Sequence, residues 1–98
     1  MLVRHSLQDI HFEWDGAKAA ANRRKHGVEL VEGCEAFFDP FLRGIDAGQE
    51  AWEAREAILG MTARWQLLHV AFVERGEVFR IISARRATRA ERRLYEDQ

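Results

Sequence analysis

The chain has 98 residues, 47% of them apolar and 32% charged, with a net charge of −1. These values fit one small globular domain and exclude a disordered chain. Charge interrupts every apolar run before it could span a bilayer, and the single cysteine, Cys34, excludes an intrachain disulfide.

Met1 to Ile10 has no apolar stretch of signal-peptide kind and is read as an N-terminal extension, a candidate for disorder. His11-Phe12-Glu13-Trp14 alternates polar and apolar, which predicts a short strand. Asp15 is a good helix N-cap and Gly27 a good stop, so a helix of roughly three turns lies between them. Lys18, Asn22, Lys25 and His26 fall on one side of it, read as exposed, with small alanines on the other. A second helix is predicted over Glu29–Phe38, with Leu30, Val31, Cys34, Phe37 and Phe38 as its apolar stripe. Asp39-Pro40 ends it.

Strand candidates follow at Phe41–Asp46, Ala54–Met61, Gln66–Glu74 and Glu77–Ala84, the first the weakest. The polar stretch Asp46–Glu53 reads as a mobile loop. Arg75-Gly76 turns the last two strands into a β-hairpin. Thr88-Arg89-Ala90-Glu91 is a capping box that opens a C-terminal helix. The expectation is an α+β domain over residues 11–98: strand, two helices, an antiparallel sheet of three to four strands, C-terminal helix. The helices should cover one sheet face and leave the other open.

Charge is segregated along the chain. Lys18 to His26 holds four bases and no acid, Glu29 to Glu56 eight acids and two bases, and Arg80 to Arg93 six arginines and one acid. Two basic segments that met in space would offer a site to a polyanion. Ordinary solvated faces are the alternative. The four histidines are scattered, with no zinc spacing. One cysteine makes a cytoplasmic location the default expectation.

Phe12-Glu13-Trp14-Asp15, Lys18, Asn22 and Lys25-His26-Gly27-Val28 resemble the opening signature of the BrnT-type toxins. Phe38-Asp39-Pro40, then Arg55 and Gly60, resemble its middle landmarks. Arg80-Ile81-Ile82-Ser83-Ala84-Arg85-Arg86-Ala87, Glu91-Arg92 and Tyr95 resemble its closing signature. The resemblance covers nearly the whole chain after Ile10. It implies a RelE-like fold, ribonuclease activity that arrests translation, and a cognate BrnA-like antitoxin with a ribbon-helix-helix DNA-binding domain. A toxin–antitoxin heterotetramer away from any membrane is expected.

Such cleavage needs no cofactor or metal when the 2′-hydroxyl attacks, only proton transfer and stabilised phosphate charge. The catalytic candidates are His26, Lys25, Arg55, Arg80 and Tyr95; the RNA-binding candidates are Lys18, Asn22, Ser83, Arg85 and Arg86. Each has a structural alternative: His26 as a helix cap, Arg55 and Arg80 in cross-strand pairs with Glu56 or Glu77, Tyr95 as packing for the last helix. Glu13 reads as an ion-pair partner and His69 as a satisfied core histidine, while His5 and His11 carry no signal. The competing function is a binding module for protein or nucleic acid, without chemistry. Convergence of His26, Lys25, Arg55 and Arg80 on one point separates the two.

Overall fold

The computed structural model describes residues 1–50 and 53–98, and 47–50, 53 and 54 by their backbone alone. Six strands and three helices follow in the order β1 (Leu2–Leu7), β2 (Ile10–Asp15), α1 (Gly16–His26), α2 (Leu30–Ala36), β3 (Arg43–Glu50), β4 (Glu53–Met61), β5 (Leu67–Arg75), β6 (Val78–Arg86) and α3 (Arg89–Glu96). They form one mixed sheet of order β1-β2-β6-β5-β4-β3.

The local signals act as expected in α1 and α3. Asp15 Oδ2 accepts from Lys18 N at 3.1 Å. Gly27 takes φ 69°, a left-handed conformation that glycine adopts without a Cβ clash, and its N–H caps Arg23 O. The Thr88–Glu91 capping box closes in both directions, at 3.1 and 2.8 Å. α2 is shorter than its apolar stripe suggested, because the chain leaves helical geometry after Ala36 and turns at Asp39.

Four expectations need correction. Residues 1–10 are not an extension outside the domain: Leu2–Leu7 pairs antiparallel with β2, from Leu2↔Asp15 to Leu7↔Ile10. Its Gln8-Asp9 turn takes φ 49° and 66° with neither asparagine nor glycine, so the usual hairpin signal is missing. The sheet is not purely antiparallel, because β2 fills the open edge of β6 in parallel, Phe12↔Phe79 and Glu13↔Arg80. Most of the expected loop Asp46–Glu53 is strand, with β3 reaching Glu50 and β4 starting at Glu53; residues 51 and 52 lie outside the described part.

The fourth correction concerns the faces. Val70 and Ala84 pack against Gly33 of α2, and Ala19 of α1 packs against the same core. Their strand neighbours His69 and Arg85 must point the opposite way, and these two meet Glu91 of α3. So α1 and α2 serve one face, and α3 lies over part of the other. The core sits on the first face, where Phe12, Trp14, Leu30, Cys34, Leu68, Val70, Phe72 and Ile81 are buried together. Phe12, Phe37, Phe72 and Phe79 interlock there with ring centroids 5.0–5.9 Å apart. Gly60 lets α2 approach β4 so closely that a Cβ on it would lie 2.3 Å from Ala36 O.

Candidate functional site

Strand alternation assigns a set of charged side chains to the second face. Register places Arg4, Glu13, Arg80 and Val73 in one row across β1, β2, β6 and β5. Ser83 lies opposite Ala71, and Arg85 opposite His69, in the rows beyond. Arg55 is two residues before Ala57, which pairs with Ala71, so it belongs to this face too. Arg4, Arg55, Arg80 and Arg85 therefore share one surface, bordered by the basic helix α3.

Arg80 and Arg85 are held in place by carboxylates. Arg80 reaches Glu13 Oε2 at 2.9 Å, with both side chains at least three-quarters buried. This is the expected cross-strand pair, but with Glu13 rather than Glu56 or Glu77, because the parallel seat of β2 puts Glu13 opposite. Arg85 grips both oxygens of Glu91 at 2.8 and 2.9 Å, a bidentate geometry that holds the Glu91 carboxyl down at about 2. Beside them His69 is not a satisfied core histidine. Among the described residues its buried Nδ1 finds no hydrogen-bond partner, and its Nε2 lies 4.0 Å from Glu91. Burial and then the Arg85 charge depress its pKa, so it is neutral near pH 7.

The other candidates are placed differently. Asn22 is not exposed: its side chain donates to Val28 O and Ala84 O and accepts from Ala84 N. It substitutes for a neighbouring strand along the part of β6 that β2 does not reach, satisfying backbone groups that would otherwise be orphaned. His26 follows one helical turn later, half-buried at the end of α1, and Lys25 and Lys18 are exposed. No bond among the described residues joins His26, Lys25 and Arg80: the guanidinium of Arg80 engages Glu13, while His26 and Lys25 lie in the last turn of α1. Arg86 is exposed.

Tyr95 donates to Asp39 Oδ2. Burial and that bond push its hydroxyl up to about 12, making it a weaker acid than free tyrosine. Cys34, pushed up to about 12 by burial, is a core thiol with little nucleophilic character.

Sequence reasoning passed over one further group. The Oγ of Ser6 and Nδ1 of His11 lie 2.8 Å apart, on the same face as the arginine row. A period-two pattern in Leu2–Leu7, with Val3, His5 and Leu7 turned inward, was the signal available. Among the described residues no cluster of His, Cys, Asp and Glu gathers to hold a metal ion. No described helix is long and apolar enough to cross a membrane.

Residues 14–91 match the family model described as the ribonuclease toxin, BrnT, of type II toxin–antitoxin systems. The chain belongs to the BrnT toxin family. It is similar in fold to the Brucella abortus ribonuclease toxin BrnT, known from a 1.1 Å crystal structure, with a TM-score of 0.60 and 22% identity over 78% of this chain and 94% of that one. No curated protein matches it. In this BrnT-family toxin, the matched residues include Arg55, Arg80 and Arg85 of the second face, but not Arg4 or Arg92 and Arg93 of α3. β1 and the start of β2 precede the matched segment, and Tyr95 follows it.

Proposed function

We propose that this toxin is a metal-independent endoribonuclease that lays RNA across the second sheet face. Attack by the 2′-hydroxyl asks the protein only to move protons and to stabilise phosphate charge. The carrying observation is that Arg55, Arg80 and Arg85 share one face with Ser83, next to α3 with Arg89, Arg92 and Arg93. Guanidinium forks held by Glu13 and Glu91 are preorganised and still have N–H donors for phosphate oxygens. Lys18, Lys25 and His26 on α1 and Arg86 at the end of β6 are further RNA-binding candidates, although Arg86, paired with Leu68, is turned by strand alternation towards the other face. His26, at a helix C-terminus, is the proton-transfer candidate.

Family membership implies an antitoxin partner. A BrnA-like protein with a ribbon-helix-helix domain, in a cytoplasmic heterotetramer, fits the reading, as does kinship of this sheet with the RelE toxins. In a second reading the face is a binding surface without chemistry. It draws on the engagement of Arg80 and Arg85 by carboxylates and on the dispersal of the four candidates.

The deciding experiment uses purified toxin, free of antitoxin, on labelled RNA in EDTA, beside His26→Ala and Arg80→Ala. Cleavage that survives chelation and drops at least tenfold in either variant is the expected result. Folded protein that cuts neither free RNA nor message in a translating extract would leave the binding module as the better reading.

A further inference from the structure

A depression of about 340 Å³ opens on the second face at the β1–β2 end, lined by Arg4, Ser6, His11, Glu13 and Val78. Its volume is at the small end of the ligand-pocket range, about 300 to 1,000 Å³. The lining is chemically ordered. Arg4 sits opposite Glu13, yet Glu13 bonds Arg80, and among the described residues Arg4 makes no hydrogen bond or ion pair. It therefore presents a complete guanidinium fork to solvent. One register step along, Ser6 Oγ fixes the His11 ring through Nδ1 at 2.8 Å, so Nε2 and the ring face are oriented before any ligand arrives. The Val78 side chain supplies an apolar wall. The row continues without a break into Arg80.

From this we infer that the depression is a nucleotide subsite, which extends the RNA track beyond the family's shared segment. Arg4 takes a backbone phosphate, and the His11 ring, set by Ser6, meets the adjoining base by stacking or through Nε2. The glutamate wall disfavours a second phosphate in the same depression, so the subsite holds one nucleotide. Arg4, Ser6 and His11 all precede Trp14, where the family match begins. The subsite thus lies on the β1–β2 hairpin, ahead of the segment that matches the family. The inference rests on the RNA-binding part of the proposed function but not on cleavage.

The test is binding of a short 2′-O-methyl RNA, which cannot be cut, followed by fluorescence anisotropy over a salt series. Wild type is compared with Arg4→Met, His11→Gln and Ser6→Ala. All three residues are exposed, and unchanged melting temperatures will show that the variants fold. Arg4→Met is expected to weaken binding about tenfold and to flatten the log–log salt slope by about 0.7, the contribution of one single-strand phosphate contact. His11→Gln is expected to weaken binding several-fold with the slope kept, and Ser6→Ala to do so by less.

Unchanged affinity and slope in both Arg4→Met and His11→Gln, with wild type binding, overturns the subsite and leaves the ribonuclease proposal standing. Binding with these losses but no cleavage of free RNA, nor of message in a translating extract, supports the subsite and removes the ribonuclease proposal. No binding by wild type at low salt overturns both.

Discussion

The hydroxyl of Tyr95 donates a 2.5 Å hydrogen bond to Oδ2 of Asp39. Asp39 also accepts from Met61 N on the same oxygen at 2.7 Å and from Phe41 N on the other at 2.8 Å. Its burial acts to raise the carboxyl's pKa, but the three bonds outweigh burial and hold it below the ordinary value. One carboxylate thus joins the end of α2, the end of β4 and α3. α3 has no buried side chain of its own, so polar ties anchor it: this one, the Arg85–Glu91 pair and the bond that Arg43 donates to Leu94 O at 2.6 Å. Tyr95→Phe is expected to cost about 2 kcal/mol, the value of a hydrogen bond to a charged acceptor. It should also raise amide exchange in α3 more than in β5. Exchange that rises uniformly, or not at all, would show that α3 is anchored elsewhere.

Stability should fall with acid in two stages. His69 has a folded pKa below its unfolded 6.5, so the unfolded chain binds its proton more readily. Its contribution is complete above 6.5 and declines as pH drops through that value. Glu91 falls from 4.5 unfolded to about 2 folded, so its contribution holds above 4.5 and is lost between 4.5 and 2. Urea unfolding at pH 8, 5.5 and 3 reads both stages. His69→Gln should remove the upper stage and Glu91→Gln should shrink the lower, to which Asp39 also contributes. A wild-type stability that does not change between pH 8 and 5.5 contradicts the histidine assignment.

Gly60→Ala should be among the most damaging single-methyl changes. The new Cβ would meet Ala36 O at 2.3 Å and Ala36 C and Cβ at 2.9 Å. Backbone, not a flexible side chain, has to move, and α2 must lift from the sheet. A loss of about 3 kcal/mol in chemical denaturation is expected, at the upper end for overpacking. A loss under a third of that would mean α2 shifts easily.

Trp65 offers the opposite case. Thr62 to Gln66 closes the β4–β5 hairpin with a three-residue loop, and Trp65 takes its left-handed position at φ 61°. Glycine is the residue favoured there. The indole is 83% exposed, so its removal forfeits little burial. Trp65→Gly should therefore stabilise the fold by about 1 kcal/mol, visible as a raised melting temperature. A lowered one would mean the indole packs more tightly than its exposure implies.

The elements with local signals were legible in the sequence. The Asp15 and Gly27 ends of α1, the Gly76 turn and the Thr88–Glu91 box all depend on groups within four residues of each other. What depends on partners far along the chain was not. Glu13 was read as an ion-pair partner, but its mate Arg80 is chosen by the parallel seat of β2. Asn22 looked solvent-facing because nothing near it in sequence announces Ala84, 62 residues on. His69 looked satisfied because alternation reports burial but not whether a ring nitrogen finds a partner. Turns built from Gln8-Asp9 and Trp65 hid β1 and the β4–β5 connection, since neither carries the residue its geometry favours. The arginine face was half-visible: the basic run of β6 could be read, but its alignment with Arg55 and Arg4 is a property of register.

The parallel pairing of Phe12 with Phe79 also sets an order of events during synthesis. β2 leaves the ribosome early but has no edge to dock on until β6 has been made, and β1 depends on β2. Loop closure over most of the chain must precede that contact, the slow kind of step in folding. Until then Phe12 and Trp14 lack their cover and Glu13 has no Arg80 beside it. The row of charges on the second face comes together only on a nearly finished chain, so a truncated or stalled product would lack the surface that the complete protein presents.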